Sequence, residues 1–452
     1  MSETIAAIAT GMSVSAIGII RLSGDSAIEI ADRVFRSASG EKLCSCQSRK
    51  LLYGALTDED GGVLDMCLCT VSRAPHSYTG EDTAELQCHG SPAVLRAAME
   101  LLFRCGARQA AAGEFTRRAF LNGRMELTQA EAVADLIDAE NAESARNAAG
   151  QLSGAISRKS DKIYSDLADI SAHYHAVLDY PDEDIEDFFM ESYRRSISDA
   201  LHTLRSLLST FERGRVMNSG IPAVIAGRPN AGKSSLMNAL LGYERAIVTR
   251  IPGTTRDTVE EKIQIGAVTL RLTDTAGLRQ TEDEVERLGV ERSRRALEKA
   301  ALVLAVIDGS APLTDGDREA ISLAESAPKG VIVYSKRDLG TCAEKPLSAL
   351  PWVEISSATG EGLKELEQTI AALFPLPDVP AGEILTNVRQ AEAIGRAAEY
   401  LEAALRAMDG GLTPDIVLTE TEGAMEAIGE LSGRTLRQDI TDRIFSRFCV
   451  GK

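Results

Sequence analysis

No stretch of this 452-residue chain approaches the ~20 consecutive apolar residues that a membrane-crossing helix requires; the longest lies near Ala300 to Ile307. Positive charge is also scarce. With 49 Lys and Arg against 67 Asp and Glu, the formal charge is −18, which argues against a broad nucleic-acid-binding surface, since neutralising phosphates demands clustered cations. The start of the chain has no basic n-region and carries Glu3, so a signal peptide is not expected and a cytoplasmic location is. Eight cysteines in a chain of this length do not make a disulfide framework. The one-residue gaps of Cys44-Ser-Cys46 and Cys67-Leu-Cys69 suit zinc poorly, and buried structural thiols are expected there. His173 and His175 are expected in surface or satisfied interior roles rather than on a metal. Internal repeats and low-complexity tracts are missing, and the length implies roughly two to four domains.

The most informative segment is Gly227-Arg228-Pro229-Asn230-Ala231-Gly232-Lys233-Ser234, a Walker A loop. It follows the apolar run Ile221 to Ala226 and leads into a helical stretch from Ser235 to Leu241. In that strand–loop–helix setting the N–H groups of Asn230, Ala231, Gly232 and Ser235 surround phosphates, Lys233 reaches the β and γ oxygens, and the Ser234 hydroxyl binds Mg²⁺. Three further segments narrow the chemistry to a GTP switch. Thr249-Arg250-Ile251-Pro252-Gly253-Thr254-Thr255 supplies a threonine hydroxyl, Thr255, for the Mg²⁺ shell while the γ-phosphate is present. Asp274-Thr275-Ala276-Gly277 holds Mg²⁺ through water and offers an N–H to the same phosphate. Ser335-Lys336-Arg337-Asp338 and Ser356-Ser357-Ala358 each end a strand and read the base: Asp338 accepts from N1 and the exocyclic amine of guanine, and the Lys336 stem packs on the ring.

Two positions depart from the common GTPase pattern, which has Asn where Ser335 stands and Ala where Ser357 stands. Serine is shorter and has no amide, so weakened contacts to the guanine edge and to the phosphate loop are expected, with guanine preference retained and modest affinity. A third departure concerns catalysis. Leu278 occupies the place of the glutamine that orients water in Ras-like enzymes, and it has no polar atom to offer. Arg250, Arg256 and Arg279 read equally well as solvated loop charges, so no arginine finger can be named.

The segments GRPNAGKSS, IVTRIPGTTRD and DTAGLR, with a terminal Phe448-Cys449-Val450-Gly451-Lys452, resemble one family closely: the MnmE (TrmE) tRNA-modification GTPases. The resemblance extends upstream through Ile19-Ile20-Arg21-Leu22-Ser23-Gly24, Tyr78-Thr79-Gly80-Glu81-Asp82, Gly113 to Phe120 and Leu127 to Ala132, and so covers nearly the whole chain. It implies a homodimeric, potassium-dependent GTPase. A K⁺ ion would take the place of an arginine finger, with Asn230, Thr249, Ile251 and Thr254 as ligands. Glu286 matches the family's catalytic glutamate; read alone, it belongs to a solvated acidic segment. Cys449 matches a cysteine needed for modification, and its neighbours Arg447 and Lys452 favour thiolate. The resemblance further implies a reduced folate (5-formyl- or 5,10-methylene-tetrahydrofolate) held by Arg21, Glu85, Arg124 and Lys452, a set whose carboxylate suits a pterin edge and whose cations suit a glutamate tail. The family's usual residue at Arg124 is lysine.

The expected organisation is multidomain. Residues 1–118 mix strands (Ala16 to Leu22, Val63 to Thr70) with helices (Ala27 to Phe35, Pro92 to Leu102), an α+β pattern; by resemblance this is the folate-binding and dimerisation domain. Residues 119–213 and 376–452 carry helical stripes: Ile163, Leu167, Ile170, Tyr174 and Val177; then Val388, Ala391, Ile394, Ala398, Leu401, Leu405 and Met408; then Leu436, Ile440, Ile444 and Phe448. Residues 216–375 alternate strand and helix as a doubly wound α/β sheet does; by resemblance this is a Ras-like GTPase domain inserted in the helical one. The implied activity is GTP hydrolysis that, with the flavoprotein MnmG (GidA), installs a carboxymethylaminomethyl or aminomethyl group on C5 of the wobble uridine of certain tRNAs, the partner supplying much of the tRNA binding. A ribosome-assembly GTPase switch, and a folate-dependent one-carbon transferase with a regulatory GTPase domain, are the alternatives.

Overall fold

The structure, a computed structural model, describes residues 3–179, 190–243, 260–265, 268–273, 297–298, 300–342, 344, 348–375, 379–434, 444–445, 448 and 450–451. The chain divides into two compact units: Met1–Ala134 with Gln151–Ala200 and Arg396–Lys452, and Asp135–Gly150 with Leu201–Gly395. No helix among the described residues is long and apolar enough to cross a membrane.

The first unit is built on a seven-stranded sheet. Its strands are β1 (Ile5–Ile8), β2 (Ser15–Ser23), β3 (Phe35–Ser37), β4 (Leu51–Thr57), β5 (Val63–Ser72), β6 (Thr83–Gly90) and β7 (Arg108–Gln109), in the spatial order β3-β4-β5-β6-β2-β1-β7. All neighbours are antiparallel except β1 and β7. Period-two alternation sorts the side chains. Ile20, Leu22, Leu52, Leu56, Val71, Ala84 and Leu86 point to one face and are covered by the helices Ala27–Val34 and Pro92–Arg104. Cys46, Cys67 and Cys69 are buried in that core as expected, while Cys44, in the same turn region as Cys46, is exposed. Truncating a fully buried member such as Leu86 to alanine costs roughly 2–5 kcal/mol. The odd-numbered positions Ile17, Arg21, Glu85 and Gln87 lie on the opposite face, where Ile17, Tyr53 and Met66 are 58%, 54% and 40% exposed.

Helices complete this unit. Ala155–Asp179 packs against Pro414–Ser432, burying Ile163, Leu167 and Ile170 on the predicted stripe; the side chains of Tyr174 and Val177 lie outside the description. Along Val388–Asp409 the predicted Ala391, Ile394, Ala398 and Leu401 are buried, but Val388 is exposed because it begins the helix. Of the third stripe, Phe448 is buried with Phe445 against Leu127 and Ile444 packs beside them, whereas Leu436 and Ile440 are outside the described residues.

The second unit carries a six-stranded sheet of β8 (Ile221–Ala226), β9 (Glu260–Ile265), β10 (Val268–Thr273), β11 (Leu302–Asp308), β12 (Gly330–Ser335) and β13 (Trp352–Glu354), ordered β13-β12-β11-β8-β10-β9. Only β9 runs antiparallel to its neighbour. Each residue of the inner strand β11 is buried, which is why it reads as an unbroken apolar run rather than an alternating one. The helices Lys233–Tyr243, Asp315–Ser326 and Leu363–Leu373 complete an α/β Ras-like domain, flanked in sequence by helices on both sides. The α+β, all-α and α/β parts expected from the sequence are all present.

One ion network ties the first unit's loops to its sheet. Arg108 donates to both carboxylate oxygens of Glu114 at 2.8 and 2.7 Å, Arg118 bridges Glu114 and Glu81 at 2.9 Å each, and Ser23 donates to Glu81 at 2.8 Å. Burial alone pushes the Glu114 carboxyl up, but the Arg108 guanidinium, the Ala111 N–H and Arg118 outweigh it and bring it from 4.5 down to about 2. A folded-state value below the unfolded one contributes stability that is complete above the ordinary carboxylate range and is lost as pH falls through it toward 2. Glu114→Gln is therefore expected to cost roughly 1–2 kcal/mol at pH 7, because it removes the charge that Arg108 and Arg118 share while each keeps a second carboxylate, Glu3 and Glu81, and the gap from the wild type should narrow in urea melts repeated near pH 3.

Candidate functional site

The nucleotide loop is shaped by backbone close approaches. Gly227 ends β8 where a Cβ would come within 2.4 Å of the Val306 carbonyl oxygen, so only glycine lets the loop leave the sheet there. Asn230 takes the left-handed conformation at φ 64°, which asparagine tolerates better than most residues, and Gly232 follows at φ 102°. The helix Lys233–Tyr243 then begins, so its first free N–H groups face the loop's concavity. The Lys233 ammonium donates to the carbonyls of Gly227 and Arg228 at 2.8 and 2.9 Å, poised over the loop's own mouth. Ser234 and Ser235, in the first turn, are exposed.

The base-reading residues converge on the same end of the sheet. Ser335, the last residue of β12, is 2% exposed, and its Oγ lies 2.5 Å from the Ala231 carbonyl oxygen and 3.0 Å from that of Ile307. The phosphate-loop contact expected to weaken with serine is thus kept, because Ala231 and β12 approach closely enough for the shorter side chain to span. Asp338 accepts from the buried Ser356 hydroxyl at 2.6 Å, which fixes its carboxylate at the start of the short 3₁₀ turn Arg337–Leu339. Lys336 is left-handed at φ 61°, with its ammonium 2.7 Å from Asp308. Burial would raise the Asp308 carboxyl, but Lys336 and Ser310 together hold it below its ordinary value. Ser357 Oγ is buried and has no hydrogen-bond partner among the described residues, whereas Ala358 is exposed.

Sequence reasoning missed the outer anchor of this loop. Arg228 Nε donates to Asp317 at 3.1 Å and the guanidinium also faces Asp308 at 3.8 Å. Asp317 is itself fully buried and closes a capping box with Thr314 at the head of the helix Asp315–Ser326. The signal was the acid at the third position of a helix opened by threonine, whose distant arginine partner only the fold reveals.

A second cluster forms on the first unit's sheet. Arg21 donates to Glu85 at 2.8 Å from the directly paired position on β6, and its guanidinium lies 5.4 Å from the Tyr78 ring centroid and 5.8 Å from that of Phe115. Arg124 donates to the Ser77 carbonyl at 3.2 Å, so Arg124 and Arg21 both border the Ser77–Gly80 loop, with Glu85 joined to it through Arg21. Tyr78 and Phe115 were quoted in the sequence as parts of motifs without a role; their rings flank the key arginine. The remaining predicted positions, Thr249, Arg250, Ile251, Pro252, Gly253, Thr254, Thr255, Asp274, Thr275, Ala276, Gly277, Glu286, Cys449 and Lys452, lie outside the described residues.

Comparison with known proteins follows the same division. A family model described as the MnmE helical domain matches residues 127–449, and one described as the GTP-binding protein TrmE N-terminus matches residues 4–124. A tRNA modification GTPase MnmE of Symbiobacterium thermophilum is 44% identical over 455 residues, covering 100% of this chain and 99% of the relative. That of Acetivibrio thermocellus is 41% identical over 458 residues, with the same coverage of 100% and 99%. Among solved structures, the G domain of the T. maritima FeoB iron transporter is 28% identical, covers 33% of this chain and 96% of its own, and superposes with a TM-score of 0.25. With relatives above 40% identity aligned end to end and family matches reaching from residue 4 to residue 449, the chain belongs to the MnmE (TrmE) family of tRNA modification GTPases.

Proposed function

We propose that this protein hydrolyses GTP as a potassium-dependent homodimer in the cytoplasm. Acting with the flavoprotein MnmG (GidA), it adds a carboxymethylaminomethyl or aminomethyl group to C5 of the wobble uridine of certain tRNAs, drawing the carbon from a reduced folate. The observation that carries the GTP reading is the joint between phosphate loop and base reader: Ser335 bonded to Ala231, and Asp338 held by Ser356. Guanine offers Asp338 two donors where adenine offers none in that arrangement, and a buried acceptor left unpaired penalises the wrong base.

Several features support the finer statements. The Asn230 side chain stands exposed at the lip of the loop, and its amide oxygen is a fitting ligand for a large, weakly hydrated cation; Thr249, Ile251 and Thr254 would complete the set. Such an ion supplies positive charge to the transition state. Leu278 leaves water positioning to another group, which in this reading is Glu286. Ser234, at the first turn of its helix, with Thr255, suits the hard oxygen coordination of Mg²⁺. The Arg21–Glu85 pair between two rings presents a carboxylate, a cation and flat apolar surface together, which fits a pterin, and Arg124 with Lys452 fits a glutamate tail. Cys449 would act at that folate pocket. The exposed apolar row Ile17, Tyr53 and Met66 supports pairing of two copies through the sheet. The charge of −18 supports tRNA binding through the complex, with redox chemistry left to the flavoprotein.

GTP turnover is expected to be strongly stimulated in KCl relative to NaCl, by about 10²-fold or more, with the difference erased in Asn230→Ala; equal rates in every alkali salt would overturn the potassium reading. Ser335→Ala is expected to weaken GTP binding about tenfold by cutting the tether to Ala231, while Ser335→Asn tightens it, as titration with a fluorescent GTP analogue will show. Ser357→Ala removes a buried hydroxyl with no partner among the described residues and is expected to raise stability by about 1 kcal/mol in urea unfolding.

A further inference from the structure

Residues 381–386 leave the GTPase portion of the chain and run into the helix Val388–Asp409, and they are held unusually closely. A Cβ on Gly150 would come within 2.6 Å of the Ala381 carbonyl oxygen and of the Gly382 Cα, and one on Gly214 within 2.0 Å of the Leu385 carbonyl oxygen. These two glycines let the strap lie directly on the helices Ala142–Leu152 and Phe211–Ser219. Asn147, 2% exposed, then uses its whole side-chain amide on the strap: it accepts from the N–H groups of Gly382 and Ile384 at 2.9 and 3.3 Å and donates to the Ile384 carbonyl at 3.0 Å. Thr210 Oγ1 accepts from the Leu385 N–H at 3.0 Å, and Thr386 donates to Asp135 at 2.7 Å.

The same helix is fastened at its other end to the β9–β10 hairpin. Lys262 of β9 pairs with Glu140, and the buried Asn141 reaches Thr269 of β10 at 3.5 Å while capping the helix through the Ser144 N–H at 2.8 Å. Ser144 in turn donates to the Met217 carbonyl at 2.9 Å. The hairpin sits in sequence between the two segments expected to rearrange with the γ-phosphate, and Thr273 at its end directly precedes Asp274. A short helix gripped by polar contacts at both ends transmits displacement of one end to the other, because breaking either grip would strand buried polar groups.

We infer that Asn147 is a positioning residue that couples the nucleotide state of the GTPase portion to the helix Val388–Asp409, through the helix Ala142–Leu152 and the strap 381–386. The inference rests on the proposed reading of this chain as a GTP-hydrolysing switch, and physical contiguity becomes coupling only when both ends bias one element. The test is hydrogen-exchange mass spectrometry of the full chain in KCl, with GDP against GDP plus aluminium fluoride. In the wild type, the amides of residues 381–395 should exchange at rates that depend on nucleotide state. In Asn147→Ala that dependence should shrink about tenfold while GTP hydrolysis stays within about twofold of wild type. Thr210→Val, which removes the Leu385 acceptor, should act in the same direction. Asn147→Asp, which keeps both accepted bonds, should retain most of the response and guards against simple misfolding. The inference is overturned if the wild-type segment ignores the nucleotide, if Asn147→Ala keeps the full response, or if hydrolysis falls in parallel with it. Failure of the GTPase reading would show separately, as wild-type protein that does not hydrolyse GTP at all.

Discussion

The phosphate loop of this protein is held in shape from outside itself. A loop that must present backbone N–H groups to a polyanion has few to spend on its own carbonyls; here the Ala231 N–H reaches Arg228 at 3.3 Å and Lys233 holds two carbonyls, and neighbours supply the rest of its curvature. Here the neighbours are the Ser335 hydroxyl against Ala231, the Asp317 carboxylate against Arg228, and the Val306 carbonyl packed where Gly227 has no side chain. Each arrives from a different element of the sheet layer: the end of β12, the head of the helix Asp315–Ser326, and the middle of β11. The loop therefore inherits the rigidity of the core beneath it, and a change in the base-reading strand is felt at the phosphates through a single hydroxyl.

Ser335 also shows how a residue can depart from a common pattern and keep half of its job. An asparagine has an amide to divide between loop and base, whereas a serine hydroxyl carries one proton and can serve one acceptor at a time. With Ala231 at 2.5 Å and Ile307 at 3.0 Å, both inside the protein, that proton is committed to holding the loop. In the proposed reading, recognition of guanine then falls on Asp338, whose carboxylate Ser356 orients by occupying one of its oxygens. The arrangement keeps architecture and gives up part of the contact to the base.

Much of this was legible in the sequence, for reasons that differ by element. The strand, loop and helix around Lys233 were readable because glycine spacing and flanking apolar runs are local signals. The stripe through Ile163, Leu167 and Ile170 was readable because a helix repeats every 3.6 residues. Arg21 and Glu85 were named as members of one site only through resemblance, and their direct pairing was not read, since cross-strand register is set by pairing between segments 64 positions apart. Arg228 with Asp317, and Asn147 with Gly382 and Ile384, left no trace. Their partners are 89 and 235 or more residues away, and single buried polar residues carry no period. Val388 was placed on a buried stripe by periodicity and is exposed, because the first residue of a helix has no preceding turn to pack with it.

The residues that escaped sequence reasoning share a physical character. Asn147, Asp317 and Glu114 are buried polar groups whose bonds run to backbone atoms or to charges on other elements. An apolar contact weakens gradually as surfaces slide, but a buried amide or carboxylate that loses its partner forfeits its solvation as well, so it favours discrete positions over a continuum. Apolar stripes can account for why the helices and sheets of this chain assemble. Fixing which positions they take up, and limiting the number of alternatives, requires these scattered polar clasps.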